Sequence, residues 1–377
     1  MDIVCFSWNA SGLRICESAS QFDADKKRTG FRGLLKKPCI APDFFENIRT
    51  YIKDKNPGVV VMTTQDEDEK DTYFHSDFLP MSMREIGYSL LKRDKMDGIG
   101  EKASKGPVTT SEIPTGLPSG SALRSSIYVR NNELESFKFG ERKISKFFSD
   151  GQLEHSLNHF GRVSGAIASY LWHQKYGRIV FIATHLPSGS EALKVGRGEN
   201  YEVYRVASVA SNTLCLIDIM KKFITDIPKD YKPEHIFLMG DLNYDIVFSD
   251  KSTSDLINEI SKASSMDKYR NNDELYKNIK EIPLKGFKEG INDNGPQFKP
   301  TCRLSRSRGE ESSNEASSIP SSCFESSDLG IGWHDRILYR DLDNTNYKIK
   351  CNSYSRLDVK NMQKSTHAGV LGHFTIE

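Results

Sequence analysis

The stretch His235-Ile236-Phe237-Leu238-Met239-Gly240-Asp241-Leu242-Asn243-Tyr244-Asp245-Ile246 decides how the chain is read. The run up to Met239 is short and apolar, as a buried strand is. The strand is expected to stop at Gly240, and an acid and an amide follow at once. Asp241 and Asn243 are two apart, so in an extended chain they point the same way. A carboxylate beside a carboxamide can hold a water, a metal-bound phosphate, or both. Asp and Asn also follow strands because turns favour them, so this segment alone leaves a plain turn open.

Three other stretches repeat the pattern. Asp2-Ile3-Val4-Cys5-Phe6-Ser7 runs into Trp8-Asn9, Gly58-Val59-Val60-Val61-Met62 runs on to Gln65-Asp66, and Arg178-Ile179-Val180-Phe181-Ile182-Ala183 runs into Thr184-His185-Leu186-Pro187-Ser188-Gly189. Each is an apolar strand with an acid/base or metal-capable group just past its end. Sites in layered α/β proteins lie beyond strand ends. Four such ends meeting in space would gather Asn9, Asp66, His185, Asp241 and Asn243 into a metal-assisted hydrolytic site. A plain turn gives no reason for the pattern to recur.

At 377 residues the chain fits one large α/β domain, and no linker separates two independently patterned halves. With 37% hydrophobic and 27% charged residues the composition is that of a soluble globular protein. The formal net charge of +1 excludes a strong global field, so attraction to polyanions must be local. Seven scattered Cys form no C-x-x-C pair, which argues against a disulfide framework or zinc ribbon and for a reducing, cytoplasmic setting. The amino terminus enters a strand at once, so no signal peptide is expected. No apolar run is long enough to span a bilayer.

Between these strands the chain supplies helices and polar segments. Residues 11–37 are polar and basic, which reads as a solvated loop or as a rim that attracts anions. Pro42 and Asp43 open a helix with Phe44, Ile48, Tyr51 and Ile52 on one face. Residues 94–120 are rich in Lys, Gly, Ser, Thr and Pro and are expected to be an exposed insertion. Gly165 to Trp172 is expected to pair with Ile179 to Ala183 across a turn near Gly177. A long amphipathic helix is expected over 199–224, with shorter ones near 254–263 and 272–280. Residues 305–327, dominated by Ser, carry too little apolar surface to pack and are expected to form a disordered loop. A strand-like Trp333-His334-Asp335-Arg336-Ile337-Leu338-Tyr339 follows.

Laid out in this order, the chain resembles the inositol polyphosphate 5-phosphatases of the endonuclease/exonuclease/phosphatase superfamily. Trp8-Asn9 resembles the opening W-N motif, Gln65-Asp66 stands where that family has Gln-Glu, and His185 to Gly189 resembles H-L-A-A-G. Gly240 to Ile246 is similar to G-D-L-N-Y-R-I, Phe298 to Arg303 to F-x-P-T-Y-K, Trp333 to Leu338 to W-C-D-R-I-L, and Ser365 to Val370 to S-D-H-x-P-V. The resemblance implies two mainly antiparallel sheets packed face to face with helices outside. It also implies Mg²⁺ held by Asn9 and Asp66, and catalysis by His185, Asp241, Asn243, Asp335 and His367. Arg303 and Arg336 would bind substrate phosphates. Asp66 in place of Glu is a shorter acid that can still bind Mg²⁺, and Arg303 in place of Lys keeps the charge. Asp245 stands for a basic residue and Thr366 for an acid, and each weakens the expected site. His334 in place of Cys is read as without consequence and receives no role.

The function expected is Mg²⁺-dependent hydrolysis of a phosphomonoester, the 5-phosphate, on an inositol phosphate or phosphoinositide. A nuclease of the same superfamily is one alternative, although no nucleic-acid partner is expected from the near-zero charge. A catalytically weak relative that binds phosphoinositides is the other, and Thr366 and Asp245 favour it. A monomer is expected, and any membrane contact would rest on local basic loops.

Overall fold

Apolar strands that cannot be satisfied alone pair into sheets and bury their faces against one another. The computed structural model describes residues 1–11, 13–15, 39–40, 42–68, 73–97, 121–138, 151–154, 165–186, 201–278, 284–306, 324, 330–343, 345–359 and 362–377. The strands are β1 (Asp2–Asn9), β2 (Arg14–Ile15), β3 (Cys39–Ile40), β4 (Val59–Asp68), β5 (Tyr88–Asp97), β6 (Ser121–Arg130), β7 (Phe137–Lys138) and β8 (Gly151–Glu154). They continue with β9 (Gly165–His173), β10 (Gly177–His185), β11 (His235–Asp241), β12 (Lys288–Glu289), β13 (Asp335–Asp341), β14 (Ile349–Leu357) and β15 (Gly369–Ile376).

One large sheet runs in the order β14-β15-β1-β4-β6-β5 and a second β12-β13-β11-β10-β9-β7, with β8 also on β9, while β2 and β3 form a separate two-stranded parallel pair. Each large sheet is antiparallel except for one central parallel pair, β1 with β4 and β10 with β11. The two parallel pairs matter for the site, because both place their carboxyl ends at one end of the sandwich. Asn9 lies opposite Gln65, and His185 opposite Asp241.

Strand alternation sends one set of side chains between the sheets and the other outward. Between them pack Ile3, Cys5, Val59 and Val61 from the first sheet and Phe181, Phe237, Met239 and Ile337 from the second. Phe181 and Phe237 stack at 5.2 Å, and Phe374 meets Phe237 edge-on. The outer face of the first sheet is covered by α1 (Phe45–Lys55) and α2 (Leu79–Glu85) through Phe45, Ile48, Ile52 and Met83. The outer face of the second is covered by α3 (Tyr201–Met220) through Leu216 and Ile219. The expected face-to-face sheets with helices outside are therefore present.

Several expectations shift in detail. β11 does not stop at Gly240 but continues through it to Asp241. Gly240 has φ 143, and a Cβ there would lie 1.8 Å from the Thr184 carbonyl oxygen, so only glycine lets β10 and β11 stay in register to their ends. Residues 94–97, placed in an exposed insertion by composition, are the end of β5; residues 98–120 lie outside the described residues. Within 305–327, Phe324 is 5% exposed and bridged to Leu304, so this apolar side chain packs into the core after all. The rest of that segment beyond Arg306 lies outside the described residues.

Candidate functional site

Every residue at the centre of the candidate site stands at or just beyond a strand end. Asn9 closes β1, His185 closes β10, Asp241 closes β11, Asp335 opens β13, and His367 precedes β15. Asp241 and Asp335 are direct antiparallel partners. The segment 301–304 is tied in by backbone: Cys302 bridges to both Gly332 and His367, and Ala368 N–H donates to Thr301 O at 2.8 Å. Upstream, the ammonium of buried Lys299 is spent on the carbonyls of Ile260 and Ala263 at the end of α4 (Thr253–Lys262), which anchors this segment.

Asp241 is the hub. Asn9 Nδ2 donates to its Oδ2 at 2.6 Å, and Asn243 N–H donates to its Oδ1 at 3.0 Å. His185 Nε2 stands 3.7 Å away, and His334 Nδ1 and His367 Nε2 each 4.0 Å away. Asp335 accepts from Asn9 N–H at 2.9 Å on one oxygen and pairs with His367 Nδ1 at 2.7 Å on the other. Asn9 thereby joins carboxylates of the second sheet to the first.

Asn9 Oδ1 accepts from Ser11 N–H at 2.8 Å, and the Ser11 hydroxyl shares a 2.9 Å hydrogen bond with the Thr366 hydroxyl. Thr366 thus sits two hydrogen bonds from Asn9, with Ser11 between them. Of seven non-glycine residues with positive φ among the described residues, Ser11, Asp66, Asn243 and Arg303 belong to this end of the molecule. Such backbone is sparsely populated and gathers at functional sites.

The charges follow from these neighbours. Burial alone would raise the Asp241 carboxyl, but His367, His185, His334 and the Asn9 amide hold it below its ordinary value, so it is ionised. Burial dominates at Asp335 and raises it, against the pull of His367. Burial works against a charged His367, yet Cys302 and Asp335 raise it well above its ordinary value. Burial likewise opposes charging His334, and Cys302 with Asp245 overcome it, to about 10. Burial raises Cys302, but His334 and His367 bring it down to about 7.

The structure brings together Asn9, His185, Asp241, Asn243, Asp335 and His367. Asn243 differs from expectation in conformation. The chain is not extended there, since φ is 52, and its amide donates to Leu186 O at 2.7 Å. Asp66 follows Gln65, the partner of Asn9, and is 3% exposed in a bulge of β4 between Thr64 and Glu67. Arg303 lies at the same end, its Nε donating to Gly330 O at 3.0 Å. Arg336 is corrected: it is fully buried and paired with Asp273 and, at 2.9 Å, with Glu289, so it faces the core and not a substrate.

Sequence reasoning passed over His334 and Cys302. His334 Nε2 pairs with Asp245 at 2.8 Å and its ring meets that of His367 edge-on at 5.8 Å, while Cys302 Sγ lies 3.3 Å from His367 Nε2. The available signal was that Cys302, His334 and Asp245 all depart from the expected motifs.

The donors present fit a hard cation. Asn9, Asp66 and Asp241 offer oxygen ligands of the kind Mg²⁺ takes. No helix among the described residues is long and apolar enough to cross a membrane.

Residues 120–373 match the model of the Endonuclease/Exonuclease/phosphatase family 2. No curated protein sequence matches significantly. Among solved structures, the fold is similar to the inositol polyphosphate 5-phosphatase domain of SPsynaptojanin in complex with inositol (1,4)-bisphosphate and calcium ion. The TM-score is 0.56 at 15% identity, over 99% of this chain and 83% of that one. It is similar as well to a Cimex nitrophorin ferrous NO complex, with TM-score 0.52, 14% identity, and 100% and 98% of the two chains covered.

Proposed function

Because the chain belongs to the endonuclease/exonuclease/phosphatase family 2, we propose that it hydrolyses the 5-phosphate of an inositol polyphosphate or phosphoinositide with Mg²⁺ as cofactor. One observation carries this reading: an ionised Asp241 held between the Asn9 amide and three imidazoles, with a second carboxylate behind one of them.

Phosphoryl transfer asks the protein chiefly to position a water and to neutralise charge. Asn9 and Asp66 would hold the Mg²⁺, which supplies charge neutralisation at the phosphoryl oxygens when bound. Asp241 orients and deprotonates the attacking water, because its neighbours keep it ionised. Asn243 fixes the turn that carries Asp241. His185 and His367 donate to the phosphoryl oxygens as negative charge builds. Asp335 holds the tautomer and the charge of His367. Arg303 binds a second substrate phosphate.

A second reading has one observation in its favour. The His367 nitrogen that the phosphate needs is engaged by the Cys302 sulfur at 3.3 Å, which suits a protein that binds an inositol phosphate and turns it over poorly. The deciding experiment measures phosphate release from inositol polyphosphates and phosphoinositides, with single-stranded DNA as control, in Mg²⁺ and in excess chelator. Release from an inositol substrate that stops on chelation supports hydrolysis. Binding of such a substrate with no release in any metal replaces hydrolysis by binding, and cleavage of DNA alone ends both.

A further inference from the structure

We propose that Cys302, His334 and His367 form a binding site for a thiophilic divalent cation of the Zn²⁺ class, with ligands separate from the oxygen donors Asn9 and Asp66. Their ligand atoms all lie within 4.8 Å of one another and all three side chains are buried. The chemistry differs from that of Mg²⁺, which avoids sulfur, whereas a thiolate with two imidazoles is a donor set for zinc.

The spacing fits. A tetrahedral ion with metal–sulfur of about 2.3 Å and metal–nitrogen of about 2.0–2.1 Å sets sulfur and nitrogen roughly 3.6 Å apart. Cys302 Sγ and His367 Nε2 are 3.3 Å apart.

A second observation is independent of the distances. Each imidazole has its far nitrogen on a carboxylate: His367 Nδ1 on Asp335 at 2.7 Å, and His334 Nε2 on Asp245 at 2.8 Å. That is how metal-ligating histidines are oriented. It leaves His367 Nε2 and His334 Nδ1 for the ion, and His334 Nδ1 is buried with no hydrogen-bond partner among the described residues. Asp241, 4.0 Å from each of these two nitrogens, stands where a fourth ligand or a bound water would be.

Asp245 and His334 also make sense together on this reading. An acid takes the place of a base in one motif, and an imidazole takes the place of a thiol in another. The two meet as ligand and orienting carboxylate. Occupancy has a consequence that rests on the phosphatase reading: His367 Nε2 cannot serve the ion and a phosphoryl oxygen together, so this cation inhibits Mg²⁺-dependent hydrolysis.

The test is direct metal binding by the full chain, stripped with chelator and titrated with Co²⁺. One equivalent should give intense visible d–d bands and a near-ultraviolet thiolate charge-transfer band, and Zn²⁺ should displace it. Cys302→Ser should abolish the charge-transfer band, and Asp245→Asn should weaken binding by about 10- to 100-fold. A second arm needs no variant. Alkylation of Cys302 in the native protein, followed at its own peptide, should slow at least about tenfold in Zn²⁺ but not in Mg²⁺. No thiolate band in the native protein, a band that survives Cys302→Ser, or alkylation indifferent to Zn²⁺ overturns the site. Failure of the phosphatase reading is separate: it removes phosphate release in every metal and leaves the cobalt spectrum unchanged.

Discussion

Asp335 and Arg336 are neighbours in β13 and point to opposite faces of its sheet, as alternation requires. Asp335 reaches His367, while Arg336 is sealed between Asp273 and Glu289. Both were legible as charged residues in one motif, but only strand parity separates the site residue from the structural one, and parity needs the register. The same limit hid His334 and Cys302, whose partners Asp245 and His367 lie far away in the chain. Asn9, His185 and Asp241 were legible because each stands at the end of an apolar run, whereas His367 was legible only through the family resemblance of Ser365 to Val370. Two outcomes follow from the parity. Asp335→Asn should lower kcat for phosphate release by about 10²- to 10⁴-fold, the range of a general acid–base contribution. Arg336→Ala should instead cost about 3–5 kcal/mol in chemical denaturation, because it leaves buried carboxylates without their cation. Equal activity in Asp335→Asn and wild type would remove Asp335 from the chemistry.

Two strands set what the elements must tolerate. β11 depends on Gly240, where any Cβ meets the Thr184 carbonyl of β10. Gly240→Ala should part the ends of the parallel pair that hold His185 opposite Asp241. Melting followed by circular dichroism should show a loss of more than about 4 kcal/mol, the range reserved for severe defects, or no soluble folded protein; a melt equal to wild type would refute the clash. β12 carries Glu289, whose carboxyl burial raises from 4.5 to about 7, against the pull of Arg336 and with Asp273 adding to the rise. Two carboxylates share one guanidinium, so the second negative charge is disfavoured. Between those pH values the folded protein keeps a proton that the unfolded chain has released. The stabilisation is therefore full below about pH 4.5 and is lost as pH rises through about 7. Glu289→Gln cannot ionise, so its stability relative to wild type should improve from about pH 5 to about pH 8, by on the order of 3 kcal/mol. A difference that stays flat across that range in urea titrations would show that Glu289 is ionised throughout.

At the scale of the whole molecule the site is a seam between the two sheets. Asn9 and Asp66 come from the first sheet, and His185, Asp241 and Asp335 from the second. The mixture of strands and helices was readable from the periodicity, and the face-to-face sheets with outer helices came from the family resemblance. The meeting of strand ends was expected too, but not its place between the two sheets, which depends on the parallel pairs ending at the same level. A cation held by Asn9 and Asp66 beside Asp241 would tie the sheets together at their open end, so its binding must also stabilise the fold. A ligand that binds only the folded state adds RT ln(1 + [L]/Kd), about 2.7 kcal/mol at a hundredfold excess over Kd. Saturating Mg²⁺ should therefore raise the melting temperature of the full chain, and chelator should lower it, in step with phosphate release. Asp66→Ala should remove most of that thermal shift and raise the Mg²⁺ concentration needed for half-maximal rate. Calorimetry at several Mg²⁺ concentrations, paired with initial rates at fixed substrate, reads both. Full activity in excess chelator, or a thermal shift that Asp66→Ala leaves intact, would show that the hard-cation site does not lie in this seam.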